Sequence, residues 1–141
     1  MKHSISIFWR SKDNHYRVLL TKCDDCGRLS APKRIRCPYC GSRNVRVSEA
    51  RGTGELINYT ISYYRVEGHE QHLPRIIGLV RLDEGPLIVG EVVDADPAEL
   101  TIGMRVEAVL RKYSSDDPNG LIYYGLKFMP VIKRTENANT Q

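Results

Sequence analysis

The sequence predicts a mainly β protein in which a small ribbon precedes a closed barrel. Three observations carry that expectation. Four cysteines fall in two matched pairs within the first third of the chain. Apolar and polar residues alternate over much of residues 51–131. The charge changes sign between the two parts.

The cysteine pairs read Cys23-Asp24-Asp25-Cys26-Gly27 and Cys37-Pro38-Tyr39-Cys40-Gly41, and the 141 residues hold no other cysteine. A tight turn aims both thiols of a pair at one point, and the glycine that follows can take positive φ to close it. Two such knuckles present four sulfurs to one tetrahedral ion at about 2.3 Å each, the geometry of structural zinc. The residue types alone leave zinc against iron open. Disulfides would suit a secreted chain, but a polar segment without a signal-peptide core follows Met1. A redox dithiol normally occurs once, beside a βαβ pattern, and none is present. Four thiolates leave no open coordination position, so the ion is expected to hold the fold and do no chemistry. A reducing, cytoplasmic setting is the corresponding expectation.

Lysine and arginine total 21 against 17 acidic residues, a net of +4. Residues 1–50 carry 11 cations against 4 acids, and residues 51–141 carry 10 against 13, so the parts stand at +7 and −3. Between the knuckles and their flanks lie Lys22, Arg28, Lys33, Arg34, Arg36 and Arg43, opposed only by Asp24 and Asp25. These cations favour ionised thiols and offset the anionic zinc–thiolate centre. They also offer a surface to an acidic partner. No apolar run is long enough to span a bilayer, so no membrane partner is expected.

Each element follows in order. Residues 1–15 contain Ile5, Phe8 and Trp9 behind Ser4 as a candidate N-cap, a short amphipathic helix too brief to stand alone. Trp9 is expected to anchor it on the body of the protein, with a partner-facing aromatic as the sharper alternative. Residues 16–50 form the ribbon. A strand at 16–21 leads into the first knuckle, residues 28–35 return with Pro32, and Val45 and Val47 close three strands too small for a core of their own.

Gly52-Thr53-Gly54 marks the boundary to a barrel over residues 51–131. Residues 55–64 alternate, with Ile57, Tyr59, Ile61 and Tyr63 on one face. A polar loop at 65–74 holds His69 and His72. Residues 75–82 and 87–93 read as a hairpin about the Asp83-Glu84-Gly85-Pro86 turn. Asp96-Pro97-Ala98-Glu99-Leu100 announces one helical turn, ended by Gly103. Residues 104–112 alternate Val106, Ala108 and Leu110 against charged neighbours. The last strand sets Ile122, Tyr124, Leu126 and Phe128 against Leu121, Tyr123, Gly125 and Lys127. Residues 132–141 are a polar tail, expected to fray. Five strands with a helical turn between the third and fourth is the order of an OB-fold barrel.

Phe8-Trp9, the two knuckles, Arg51-Gly52-Thr53-Gly54, Leu82-Asp83-Glu84-Gly85 and residues 100–106 (Leu-Thr-Ile-Gly-Met-Arg-Val) together resemble one family over residues 5–130. It is the zinc-ribbon plus OB-fold family known as domain of unknown function 35, linked to acyl-CoA metabolism. The resemblance implies a helical N-terminus, a rubredoxin-like zinc ribbon holding its ion through Cys23, Cys26, Cys37 and Cys40, and a C-terminal OB barrel. It further implies a non-catalytic accessory to thiolases. In some systems such proteins join acetoacetyl-CoA thiolase to hydroxymethylglutaryl-CoA synthase on the way to mevalonate.

Three functions follow for weighing. An acyl-CoA-associated scaffold would dock a thiolase or synthase, with Trp9, Arg28, Lys33, Arg34 and Arg36 as candidate contacts to CoA or the partner. Single-stranded nucleic-acid binding would stack bases on Tyr59, Tyr63, Tyr64, Tyr123 and Tyr124, but the barrel's −3 charge opposes a phosphate backbone. An enzyme would have to build on His69-x-x-His72, for which no acidic ligand or nucleophile stands at a completing spacing, nor can His3 or His15 be placed nearby.

Overall fold

Residues 4–64, 73–115 and 118–132 are described by a computed structural model. Two short helices, α1 (Ile5–Arg10) and α2 (Lys12–Tyr16), precede three ribbon strands, β1 (Leu19–Cys23), β2 (Leu29–Ser30) and β3 (Val45–Glu49). The remaining strands are β4 (Thr53–Ser62), β5 (Arg75–Leu82), β6 (Leu87–Val92), β7 (Arg105–Ser115) and β8 (Ile122–Pro130). The mainly β expectation holds. His3, His69 and His72 lie outside the described residues, as does the tail from residue 133.

The N-terminus differs from its expectation. Two helices replace one, and the strand expected from residue 16 begins at Leu19. The Lys12–Tyr16 segment has no β-branched residue, and the Arg17 N–H closes its turn on the Asp13 carbonyl at 2.9 Å. His15 then stacks on Phe8, with ring centroids 4.4 Å apart, folding α2 back on α1. Ser4 occupies the N-cap of α1, but its side chain caps nothing.

The ribbon sheet has the order β2-β1-β3, with β1 and β3 in register from Leu19↔Glu49 to Cys23↔Val45. Its return arm is shorter than expected, because only Leu29 and Ser30 pair with β1. Beyond them residues 32–36 form an exposed loop. Buried Thr21 ties that loop down, its hydroxyl accepting the Arg34 N–H at 2.7 Å. The ribbon also has more apolar support than its size suggests. Val18, Leu20 and Ala50 belong to the same buried cluster as Leu56, Val80, Val92, Val106 and Phe128 of the barrel. At the junction Gly52 takes φ +84°, and a Cβ there would come within 2.8 Å of the Ala108 Cβ.

The barrel closes in the order β4-β5-β6-β8-β7, with β7 returning to β4 and β8 parallel to β6, the OB-fold arrangement. The expected face of Ile57, Tyr59, Ile61 and Tyr63 is broken by a bulge between Leu56 and Asn58. One extra residue moves the alternation by one place. Leu56 therefore fills the core at 0% exposure, Tyr59 and Ile61 pack against it, and Tyr63 lies exposed beyond the strand. On β8 only Leu126 and Phe128 of the expected face reach the core, while Ile122 and Tyr124 are half exposed and Tyr123 is buried. The segment after β6 is a single turn, with the Glu99 N–H on the Asp96 carbonyl at 3.0 Å and the Ala98 N–H on the Asp96 carboxylate.

The turn between β5 and β6 is fastened to β4 and β7 by charge. Arg105 donates two hydrogen bonds of 2.7 Å to Asp83, whose carboxylate also accepts from the Thr53 hydroxyl at 2.6 Å. These bonds, Arg105 first, hold the Asp83 carboxyl well below its ordinary value of 3.8. A depressed carboxyl contributes stability above its unfolded pKa and loses it as pH falls through the folded one. The melting temperature of the native chain should therefore drop faster than that of Asp83→Asn as pH falls below about 4. Thermal melts between pH 7 and pH 2 check this, and parallel curves would refute it.

Candidate metal centre and the seam cleft

The two knuckles bring the four thiols together as their spacing requires. Gly27 and Gly41 both take positive φ, and their N–H groups close on the Cys23 and Cys37 carbonyls at 3.0 Å. All four Sγ atoms lie within 4.8 Å of one another, with Cys23–Cys40 and Cys26–Cys37 each at 3.5 Å. A tetrahedral zinc with bonds of about 2.3 Å needs sulfurs about 3.8 Å apart, so the cradle fits one ion. The second turn is braced by Asp25, which accepts hydrogen bonds from Ser42 and Asn44.

The thiols compete for charge. Burial opposes ionisation of Cys37, yet the N–H groups of Cys40 and Tyr39 and the neighbouring thiols outweigh it and bring it down to about 6. The Ser42 N–H favours a Cys40 thiolate, but the other thiols, Cys23 foremost, and burial push it up to about 12. A divalent ion resolves this conflict by neutralising half of the charge on four thiolates. The site binds one zinc ion with a structural role and no open position.

The candidate contact residues do not form one patch. Trp9 is 69% exposed, which overturns its role as the anchor, and Lys12 Nζ sits 4.4 Å from its ring centroid. Phe8 is the anchor instead. It packs edge-on against buried Tyr123 at 4.9 Å and stacks on His15. In a helix of six residues neighbouring side chains point apart, and only one of the two aromatics can face the barrel. Arg28 lies over the Tyr39 ring at 5.1 Å, beside the Glu84–Pro86 turn. Lys33, Arg34 and Arg36 lie on the exposed loop, with Ile35 between them 89% exposed.

The tyrosine platform is likewise divided. Tyr59 turns inward to donate to the Leu100 carbonyl at 3.2 Å, and Tyr123 is buried, whereas Tyr63, Tyr64 and Tyr124 are exposed.

A cleft of about 440 Å³ opens at the ribbon–barrel junction, where β6 and β8 diverge. Phe8 and His15 line it from the helices, Arg17 and Lys33 from the ribbon side, and Val89 and Tyr124 from the barrel. Among the described residues its charged lining is cationic, Arg17 and Lys33. The signal for it was the uncharged Leu87-Ile88-Val89-Gly90 run.

Comparison with known proteins agrees with this architecture. Residues 10–46 match a family described as the rubredoxin-like zinc ribbon domain of ChsH2, and residues 47–111 match its C-terminal OB-fold domain. A Pyrococcus furiosus protein described as a DUF35 domain-containing scaffold protein is 42% identical over 129 residues, covering 92% of this chain and 94% of that one. A Thermomonospora curvata protein described as "Probable enoyl-CoA hydratase alpha subunit" is 32% identical over 103 residues, 70% of this chain but 31% of that one. A solved structure described as "Ltp2-ChsH2(DUF35) aldolase" superposes with a TM-score of 0.69 at 25% identity, covering 94% of this chain and 98% of that one. With its knuckles, its barrel order and a relative similar over nine-tenths of its length, the chain belongs to the DUF35 family of zinc-ribbon and OB-fold proteins.

Proposed function

We propose that the chain is a non-catalytic, cytoplasmic scaffold that docks acyl-CoA enzymes of the thiolase and hydroxymethylglutaryl-CoA synthase type and lends basic contacts to CoA. The observation that carries this reading is the apolar surface left uncovered by the fold. Ile5, Ile7 and Trp9 are each more than 60% exposed on α1, and Ile35 stands out between Arg34 and Arg36. Exposed aromatic and aliphatic side chains bordered by arginine are the make-up of protein contact sites. The relatives support the same direction, one described as a scaffold and two others as an aldolase and a hydratase subunit. A zinc ion enclosed by four thiolates adds no chemistry of its own. Lys33, Arg34 and Arg36 on the exposed loop, with Arg28 beyond the knuckle, suit the phosphates of CoA.

The test is reconstitution with acetoacetyl-CoA thiolase and hydroxymethylglutaryl-CoA synthase, followed by sedimentation and by CoA titration. A stoichiometric complex is expected. Trp9→Ala should weaken it at least tenfold without lowering the melting temperature, because the indole touches little of its own chain. Arg34→Glu with Arg36→Glu should raise the Kd for CoA. Absence of a complex with either enzyme, together with no CoA binding by the mixture, would sink the proposal.

A further inference from the structure

The seam between β6 and β8 is an unfinished piece of sheet. On one side β6 pairs with β5 along its whole length, from Arg81↔Leu87 to Ile76↔Val92. On the other it meets β8 at Val92↔Phe128 alone, where the Val93 N–H reaches the Phe128 carbonyl at 2.8 Å. The Leu82 N–H bonds to the Pro86 carbonyl at 3.0 Å and so sets the phase of the hairpin ladder. Antiparallel alternation then directs the N–H and C=O groups of Ile88 and Gly90 to β5, and those of Leu87 and Val89 to the open seam. The Leu87 and Val89 side chains are 49% and 65% exposed, and residues 87–90 contain neither a charge nor a proline. An edge without those guards is a template for another strand.

We propose that the free edge of β6 at Leu87 and Val89 is a strand-addition site that takes an extended peptide segment of a partner protein, apolar at alternate positions and acidic toward the ribbon. The proposal rests on the scaffold reading for the partner being a protein. Charge complementarity selects the acid: among the described residues the charged side chains lining the cleft are Lys33 and Arg17, the latter also reaching Glu49 at 3.7 Å, and no carboxylate lines it. The backbone groups select a peptide, because an acyl chain offers them no hydrogen bond. A second copy of this chain would lay its own edge at residues 87–90 there, which carries no acidic residue for Arg17 and Lys33. The chain's own residues 133–141 fit poorly, since they begin Lys133-Arg134 and hold no apolar side chain larger than Ala138.

A heptapeptide library displayed on phage and selected on the full zinc-loaded chain tests this without any thiolase or synthase. Selected peptides should alternate β-branched or aromatic residues and carry Asp or Glu near one end. A synthetic peptide of that pattern should slow hydrogen exchange of the Leu87 and Val89 amides at least tenfold. Val89→Pro removes only an outward N–H, a position where sheets tolerate proline, and should weaken the peptide at least tenfold. Val89→Lys keeps the N–H, charges the edge and should do the same, which covers misfolding of the proline variant. Several results would overturn the proposal: no enrichment, binding to both variants within twofold, displacement of the peptide by decanoic acid with both variants binding that acid normally, a dimer abolished by Val89→Lys, or tighter peptide binding after deletion of residues 133–141. If the enzyme complex forms while the peptide selection fails, the scaffold reading stands and this site falls. The converse result separates them the other way.

Discussion

Substituting Cys23 or Cys40 with serine is expected to unfold the ribbon and abolish docking. The two sulfurs lie 3.5 Å apart on opposite knuckles, and Cys23 is almost fully buried at the end of β1. Structural zinc in small fingers contributes about 10–16 kcal/mol of apparent binding energy near neutral pH, comparable to the whole stability of a small domain. A ribbon whose second strand spans only Leu29–Ser30 is left with the single β1–β3 ladder, too little to replace it. The loss should also reach the barrel, because Val18, Leu20 and Ala50 sit in the shared core. Metal analysis with calorimetry checks this. One zinc per wild-type chain, none in the variants and a lower melting temperature are expected, and a chelator should reproduce the effect on the native chain. An unchanged transition after complete metal removal would contradict a structural role.

Leu20→Ala should produce the second large loss, about 2–5 kcal/mol for truncating a fully buried leucine. Leu20 is 0% exposed and lies on β1, between the knuckle and the barrel core. Beyond the cavity it leaves, the change should loosen the ribbon from the barrel, so that one urea transition separates into two. Val47→Ala is the control. Val47 is 51% exposed on β3, and surface truncations of that kind stay within about 0.5 kcal/mol. Equal destabilisation by both variants would mean the two parts do not share a core.

The metal centre was legible in the sequence because its chemistry is local. Cys23-x-x-Cys26-Gly27 and Cys37-x-x-Cys40-Gly41 each close within one turn, and the spacing that brings the sulfurs together is written along the chain. The β5 strand and its turn into β6 were equally plain, since Asp83-Glu84-Gly85-Pro86 punctuates two apolar runs. Other features depend on neighbours distant in sequence. The bulge at Leu56 is held by the Met104 carbonyl and the Gly103 N–H, nearly fifty positions away, and nothing within residues 55–64 signals it. The choice of Phe8 over Trp9 as anchor is made by Tyr123 on β8. The cleft exists because β6 and β8 share a single bridge, a matter of strand divergence that periodicity does not encode.

Gly52 gives the scaffold reading its mechanical meaning. Its carbonyl accepts the Ala108 N–H at 2.8 Å, the Ala50 N–H reaches the Val18 carbonyl at 2.9 Å, and no side chain could be added at position 52 without striking Ala108. Ribbon and barrel thus meet across Arg51 alone, over a shared core, with no free tether between them. On the scaffold reading proposed above, partners held at the ribbon and at the barrel would keep a short, fixed separation along the chain.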